Sequence, residues 1–329
     1  MNREIKIISG TGHPDLAERI CLKLFDHLQR KIELVPTILK QWPNGELYAR
    51  VLESVRGCDV FVVQSMHCKL PYSTIEEVEF LIDCIRDSAG RITIIAPWIA
   101  YAKQDRKTTS RENGAFRVIC KRLSISGTHR ILLCDIHNSA TSGFFDIPTD
   151  TVYIMRILIE ELQNQIRELP NENHILCSPD LGSAKRIHAI SQITKIRDVA
   201  IVQKIHKPDT KNKEIDLELS KILGDVTGKI VHVIDDMMQS FDTMVAALEI
   251  ILKYKPKKII LYSVHPDFTN NAIKNLENCC ADKIIITDTI PIKNKLPEKV
   301  TVIDPAPFLA KCIFNLHTDQ SLSNLFLQY

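Results

Sequence analysis

No apolar run in this chain of 329 residues approaches the ~18 residues of a membrane-spanning helix, so no spanning segment is expected. Met1-Asn-Arg-Glu-Ile-Lys leads directly into a short strand pattern, without the apolar core of a secretory signal. No C-x-x-C pair occurs among the ten cysteines; apart from Cys279-Cys280 they stand singly, and most fall in apolar strand or helix patterns. That spacing reads as reduced core thiols in a cytoplasmic protein, and not as disulfides or a zinc site. Charge of one sign is missing too. The 42 basic residues against 40 acidic ones leave +2 at pH 7, which gives no support for nucleic-acid binding. No low-complexity segment appears. What remains, 45% hydrophobic and 25% charged residues, describes an ordinary globular chain long enough for two domains.

Short β-branched runs alternate with helix-period segments almost from end to end. Ile92–Pro97, Ile131–Asp135, His174–Ser178, Val199–Lys204 and Lys229–Ile234 read as strands, and Pro14–Leu28, Ser183–Ile193 and Thr243–Tyr254 as helices. Apolar strands between amphipathic helices predict an α/β fold with mainly parallel sheets flanked by helices. The alternation repeats at similar spacing in both halves. It predicts two related domains, residues 1–150 and 151–329. The one long polar stretch, Lys204–Asp216, reads as a mobile surface loop.

The segment Ile230-Val-His-Val-Ile-Asp-Asp-Met-Met-Gln-Ser-Phe-Asp-Thr243 carries most information. It predicts a buried strand, two adjacent carboxylates, and a short loop opening onto a helix. Such a junction aims backbone N–H groups and a positive helix end at one point, which suits a phosphate. Asp235 and Asp236 at the strand end suit ribose hydroxyls or Mg²⁺. Four further segments fall at strand ends or in loops: Trp42–Glu46, Ala102–Lys107, Asp135–Asn138 and Ser178–Gly182.

With these motifs in order, the chain resembles the ribose-phosphate pyrophosphokinases, or PRPP synthetases. The likeness rests on Trp42-Pro-Asn-Gly-Glu46, Tyr101-Ala-Lys-Gln-Asp-Arg106, Asp135-Ile-His137, Gly143-Phe-Phe-Asp-Ile-Pro148, Ser178-Pro-Asp-Leu-Gly182, the Asp235-Asp236 loop and Asp288-Thr-Ile-Pro291. It implies two phosphoribosyltransferase-like domains, assembled as a homo-oligomer (a dimer or hexamer). The implied reaction moves the β,γ-diphosphoryl group of Mg·ATP onto the C1 hydroxyl of ribose 5-phosphate, with no nucleic-acid or membrane partner. By resemblance, Trp42, Asn44, Glu46, Lys103, Gln104 and Arg106 bind ATP, and His137 and Asp180 associate with Mg²⁺. Lys204 and His206 belong to the catalytic loop. Asp235, Asp236, Gln239, Ser240, Phe241, Asp242 and Thr243 hold the sugar phosphate.

The family pattern is broken at four places. Trp42 and Asn44 stand where phenylalanine and aspartate are usual, which keeps the aromatic ring and alters one acceptor. Lys103 stands where arginine is usual, which keeps the charge but loses bidentate geometry. His206 replaces a catalytic-loop arginine and is mostly neutral at pH 7. Phe241 and Asp242 replace two glycines, although glycine allows positive φ and close backbone approach. Asp242 either faces the phosphate, with strong repulsion, or points outward as a helix N-cap. Three functions follow: an active diphosphokinase, a non-catalytic nucleotide-binding or regulatory subunit, or a phosphoribosyltransferase. The last would leave the Lys-Gln-Asp-Arg cluster without a task.

Overall fold

The computed structural model of the protein describes residues 3–66, 71–207, 215–269 and 271–325. Parallel strands covered by helices build two compact units. The first runs to Ile154 and takes back Thr289–Pro291 and the segment from Pro305; the second comprises Met155–Asp288 and Ile292–Asp304.

The first unit is built from β1 (Ile5–Ser9), α1 (Pro14–Leu28), β2 (Thr37–Gln41), β3 (Leu47–Val51), β4 (Asp59–Val63), α2 (Pro71–Ile85), β5 (Arg91–Ala96), α3 (Ala115–Ile125), β6 (Arg130–Cys134) and β7 (Thr149–Val152). Its sheet has the order β1-β4-β5-β6-β7, parallel throughout, and β4 is buried along its whole length. That agrees with continuous apolar strands covered on both faces. β2 and β3 form a separate antiparallel ribbon. β2 carried no readable signal, because its Thr-Ile-Leu-Lys-Gln run is half-exposed and has no buried residue.

Helix α1 shows how the sequence sets element ends. His13 caps it, Nδ1 accepting from the Leu16 N–H at 3.3 Å, and Pro14 follows with its φ already helical. Leu16, Ile20, Cys21 and Leu24 face the core, and left-handed Gln29 stops the helix. Just before it, Gly10 and Gly12 are required by close approach: a Cβ at Gly12 would stand 2.2 Å from the Ser65 carbonyl oxygen. The buried Gln64 amide fills the space, accepting from the Gly12 N–H at 2.9 Å and donating to Thr74 O and Glu77.

The second unit contains α4 (Met155–Glu168), β8 (His174–Ser178), α5 (Ala184–Thr194), β9 (Val199–His206), β10 (Ile215–Leu223), β11 (Ile230–Met238), α6 (Asp242–Lys253), β12 (Lys258–Pro266), α7 (Ala272–Asn278), β13 (Lys283–Thr287) and β14 (Val300–Ile303). Its sheet order is β10-β9-β8-β11-β12-β13-β14, parallel except for β10 against β9. The stretch expected as a loop over Lys204–Asp216 has strands at both ends. Residues 208–214 lie outside the described residues. β10 escaped the sequence reading because an edge strand alternates weakly and a bulge interrupts it between Asp216 and Lys221.

After β14 the chain returns to the first unit as α8 (Ala306–His317). There the buried Asp59 carboxylate receives Arg91 at 2.8 and 2.6 Å and faces His317 Nδ1 at 2.9 Å. Burial opposes ionisation of Asp59, but the bonds from Arg91 and His317 outweigh it and hold the carboxyl below the usual range. The nine described cysteines are all unpaired thiols, seven of them buried. No helix among the described residues is long and apolar enough to cross a membrane.

Candidate functional site

In the second unit the polar residues gather at the carboxyl ends of β8, β9 and β11, where open α/β sheets carry ligands. Asp180 lies in the turn after β8. Its Oδ1 accepts the Ser183 N–H at 2.9 Å, and the Ser178 hydroxyl donates to its carbonyl at 2.6 Å. Asp180 therefore shapes the entry to α5, while its second carboxylate oxygen has no protein donor among the described residues. Arg186, in the first turn of α5, was missed by the sequence reading. It bridges Asp235 at 3.3 Å and Asp236 at 3.0 Å, each through a different guanidinium nitrogen.

The two aspartates, expected at the strand's carboxyl end, lie inside β11. That strand runs on past Ile234 to Met238, because Asp235 pairs with Ser263 and Met237 with His265 of β12. Burial, then the neighbouring Asp236 charge, raises the Asp235 carboxyl well above the usual range, and Arg186 works against that rise. Lys204 on β9 approaches the same place. Burial lowers its pKa, the carboxylates of Asp180 and Asp235 oppose that change, and its Nζ donates to Thr243 O at 3.2 Å. His206 ends β9, and its side chain lies outside the described residues.

The loop Gln239–Phe241 connects β11 to α6. Phe241 takes φ 70°, the left-handed conformation expected of glycine at this place. Its ring, 3% exposed, packs into the apolar core with Met238, Met244 and Leu276. A non-glycine residue in that region costs about 1–2 kcal/mol, and burial of the ring contributes more than enough to hold it there. Asp242 is the first residue of α6 and not its N-cap; Phe241 occupies the cap position with no side-chain bond. The Asp242 carboxylate accepts instead from Asn275 Nδ2 at 2.8 Å. Among the described residues, the N–H groups of Ser240, Phe241, Asp242 and Thr243 have no protein acceptor. Four such groups at the start of a twelve-residue helix are donors of the kind that suit an anion.

In the first unit the β2–β3 turn presents Trp42, 43% exposed, with Lys40 Nζ 3.7 Å from its ring centroid and Tyr48 edge-on at 5.9 Å. Asn44 Oδ1 accepts the Glu46 N–H at 3.2 Å, and Gly45 takes φ 92°. Lys103, Gln104 and Arg106 are exposed on the loop after β5. Asn138, in the loop after β6 beside exposed His137, donates to Asp105 at 2.9 Å and joins the two loops. Among the described residues, no three His, Cys, Asp or Glu side chains form a ready metal cage.

Known proteins resemble this chain in sequence and in fold. Residues 5–127 match the model of the N-terminal domain of ribose phosphate pyrophosphokinase, and residues 183–327 match the phosphoribosyl synthetase-associated domain. The ribose-phosphate pyrophosphokinase of Pasteurella multocida is 32% identical over 98% of this chain and 99% of its own length. The chloroplastic ribose-phosphate pyrophosphokinase 1 of Arabidopsis thaliana is 31% identical over 99% of this chain and 78% of its own. The crystal structure of phosphoribosylpyrophosphate synthetase from Mycobacterium smegmatis superposes with a TM-score of 0.86 at 28% identity, covering 96% of this chain and 100% of that one. Likeness of sequence over the whole chain and of fold over nearly all of it leaves one conclusion: the chain belongs to the ribose-phosphate pyrophosphokinases, a family of transferases.

Proposed function

We propose that this protein transfers the diphosphoryl group of Mg·ATP to the C1 hydroxyl of ribose 5-phosphate, giving PRPP and AMP. One observation carries the reading: a positive-φ turn with four acceptor-free amides opens α6 beside an Arg186-bridged pair of aspartates. The amides would seat the 5-phosphate, and Asp235 and Asp236 would accept from the ribose hydroxyls. Diphosphoryl transfer needs positioning and positive charge more than covalent help. Lys204, desolvated and close to Asp180 and Asp235, would supply that charge. Trp42, Asn44 and Glu46 would hold adenine, and Lys103, Gln104 and Arg106 the triphosphate.

Hard oxygen donors suit Mg²⁺, which keeps waters and substrate oxygens and needs no full protein cage. The open Asp180 oxygen fits such a site; His137, in the first unit, is the other residue that the resemblance associates with Mg²⁺. When bound, Mg²⁺ would neutralise charge on the phosphate oxygens. A second reading, a nucleotide-binding regulatory subunit, is favoured by histidine at 206 in place of arginine. The deciding measurement is AMP formation from ATP, Mg²⁺ and ribose 5-phosphate. AMP dependent on the sugar is expected; nucleotide binding without AMP selects the regulatory reading.

The proposal includes a cytoplasmic homo-oligomer, dimer or hexamer, because in the family the Trp42 turn reaches a neighbour's ATP site. Trp42→Ala should weaken ATP binding by about tenfold, since stacking on an aromatic contributes ~1–3 kcal/mol per base. Its melting temperature should not move, because the ring is partly exposed and packs on no core. A stable monomer in sedimentation that binds ATP tightly would contradict the oligomer.

A further inference from the structure

The Asp242 carboxylate sits at the first position of α6, beside amides that would receive a phosphate. At about 4 Å from a phosphate charge it would oppose binding strongly. One side chain holds it elsewhere. Asn275, on the second turn of α7, directs Nδ2 to Asp242 Oδ1 at 2.8 Å and to the Ser240 carbonyl at 3.0 Å. Two acceptors on one amide nitrogen fix its orientation, because an oxygen there would face two oxygens. The rest of the loop is tied to the same segment. Gln239 Nε2 donates to Asp267 at 2.9 Å, and the Thr269 N–H donates to Gln239 O at 3.3 Å.

We infer that Asn275 is a positioning residue for the anion seat: it draws the Asp242 charge away from the phosphate position and so permits a carboxylate in a phosphate loop. The inference rests on the sugar-phosphate reading of that loop. Its chemistry is electrostatic. An Asn275 side chain that only braced the backbone would act through Ser240 alone, whatever stood at position 242.

A double-mutant cycle separates the two roles. Binding of ribose 5-phosphate and of inorganic phosphate to the full chain is measured by calorimetry, with melting temperatures alongside. Asn275→Ala should weaken ribose 5-phosphate binding roughly tenfold, by freeing Asp242 to approach the anion. In the Asp242→Asn background the same substitution should change binding less than about twofold. Asn275→Asp, similar in size but acceptor-only, should weaken binding further and serves if the alanine variant folds poorly. Equal weakening in both backgrounds, or none in either, overturns the inference and leaves the phosphate seat standing. Failure of the wild type to bind ribose 5-phosphate and inorganic phosphate, with ATP still bound, overturns the sugar-phosphate reading and this inference with it.

Discussion

Asp59→Ala is expected to destabilise the first unit by about 3–5 kcal/mol, the range measured when one partner of a buried ion pair is removed. For a unit of this size that is a fall of roughly ten degrees in melting temperature. The carboxylate side chain is 1% exposed and Arg91 22%, so neither charge is well solvated once its partner is gone. His317 loses its partner in the same step. The acid side carries a second signature. Because the folded carboxyl titrates below its ordinary value of 3.8, its contribution is complete above that pH and fades as pH falls through the lower folded value. Asp59→Asn should therefore remove one contribution to acid unfolding while lowering stability at neutral pH. A neutral-pH melting temperature within two degrees of wild type for both variants would show that the pair contributes little.

Replacing Phe241 and Asp242 by glycine together restores the residues a phosphate loop ordinarily has, yet it should not improve binding. The backbone already holds φ 70° at position 241, and the charge at 242 is already turned to Asn275. The ring, in contrast, is core. Its loss costs about 3–5 kcal/mol as in Phe→Ala truncations, against relief of ~1–2 kcal/mol of backbone strain. The double variant should melt lower, by a net of roughly 1–4 kcal/mol, and bind ribose 5-phosphate no more tightly. Calorimetry showing several-fold tighter binding would mean that the native loop is impaired as an anion seat.

Both cases show where reading the chain as text succeeds and where it stops. Element type was legible wherever periodicity was strong: α1 has the bounds its cap, proline and apolar stripe predict, and β8 and β13 are plain apolar runs. The polar ends of β8 and β11 were legible because Asp180 and Asp235-Asp236 interrupt apolar runs. The course of the backbone at Phe241 was not. Propensity argues against positive φ for an aromatic, and only the tertiary pocket around Met238, Met244 and Leu276 explains it. Asn275 and Arg186 were invisible for another reason. Each is an ordinary polar residue on an amphipathic helix, and its role depends on what lies across from it. The Asp59–His317 contact joins residues at opposite ends of the sequence and leaves no local trace.

The return of α8 to the first unit has a consequence for synthesis. Ala306 leaves the ribosome only after the second-unit segments Met155–Asp288 and Ile292–Asp304 have been made. At ~5–20 residues per second that interval lasts on the order of ten seconds or more. Throughout it Asp59 waits without His317, and the α1 face that stacks His27 on Phe314 is uncovered. The first half of the chain is thus translated first but completed last.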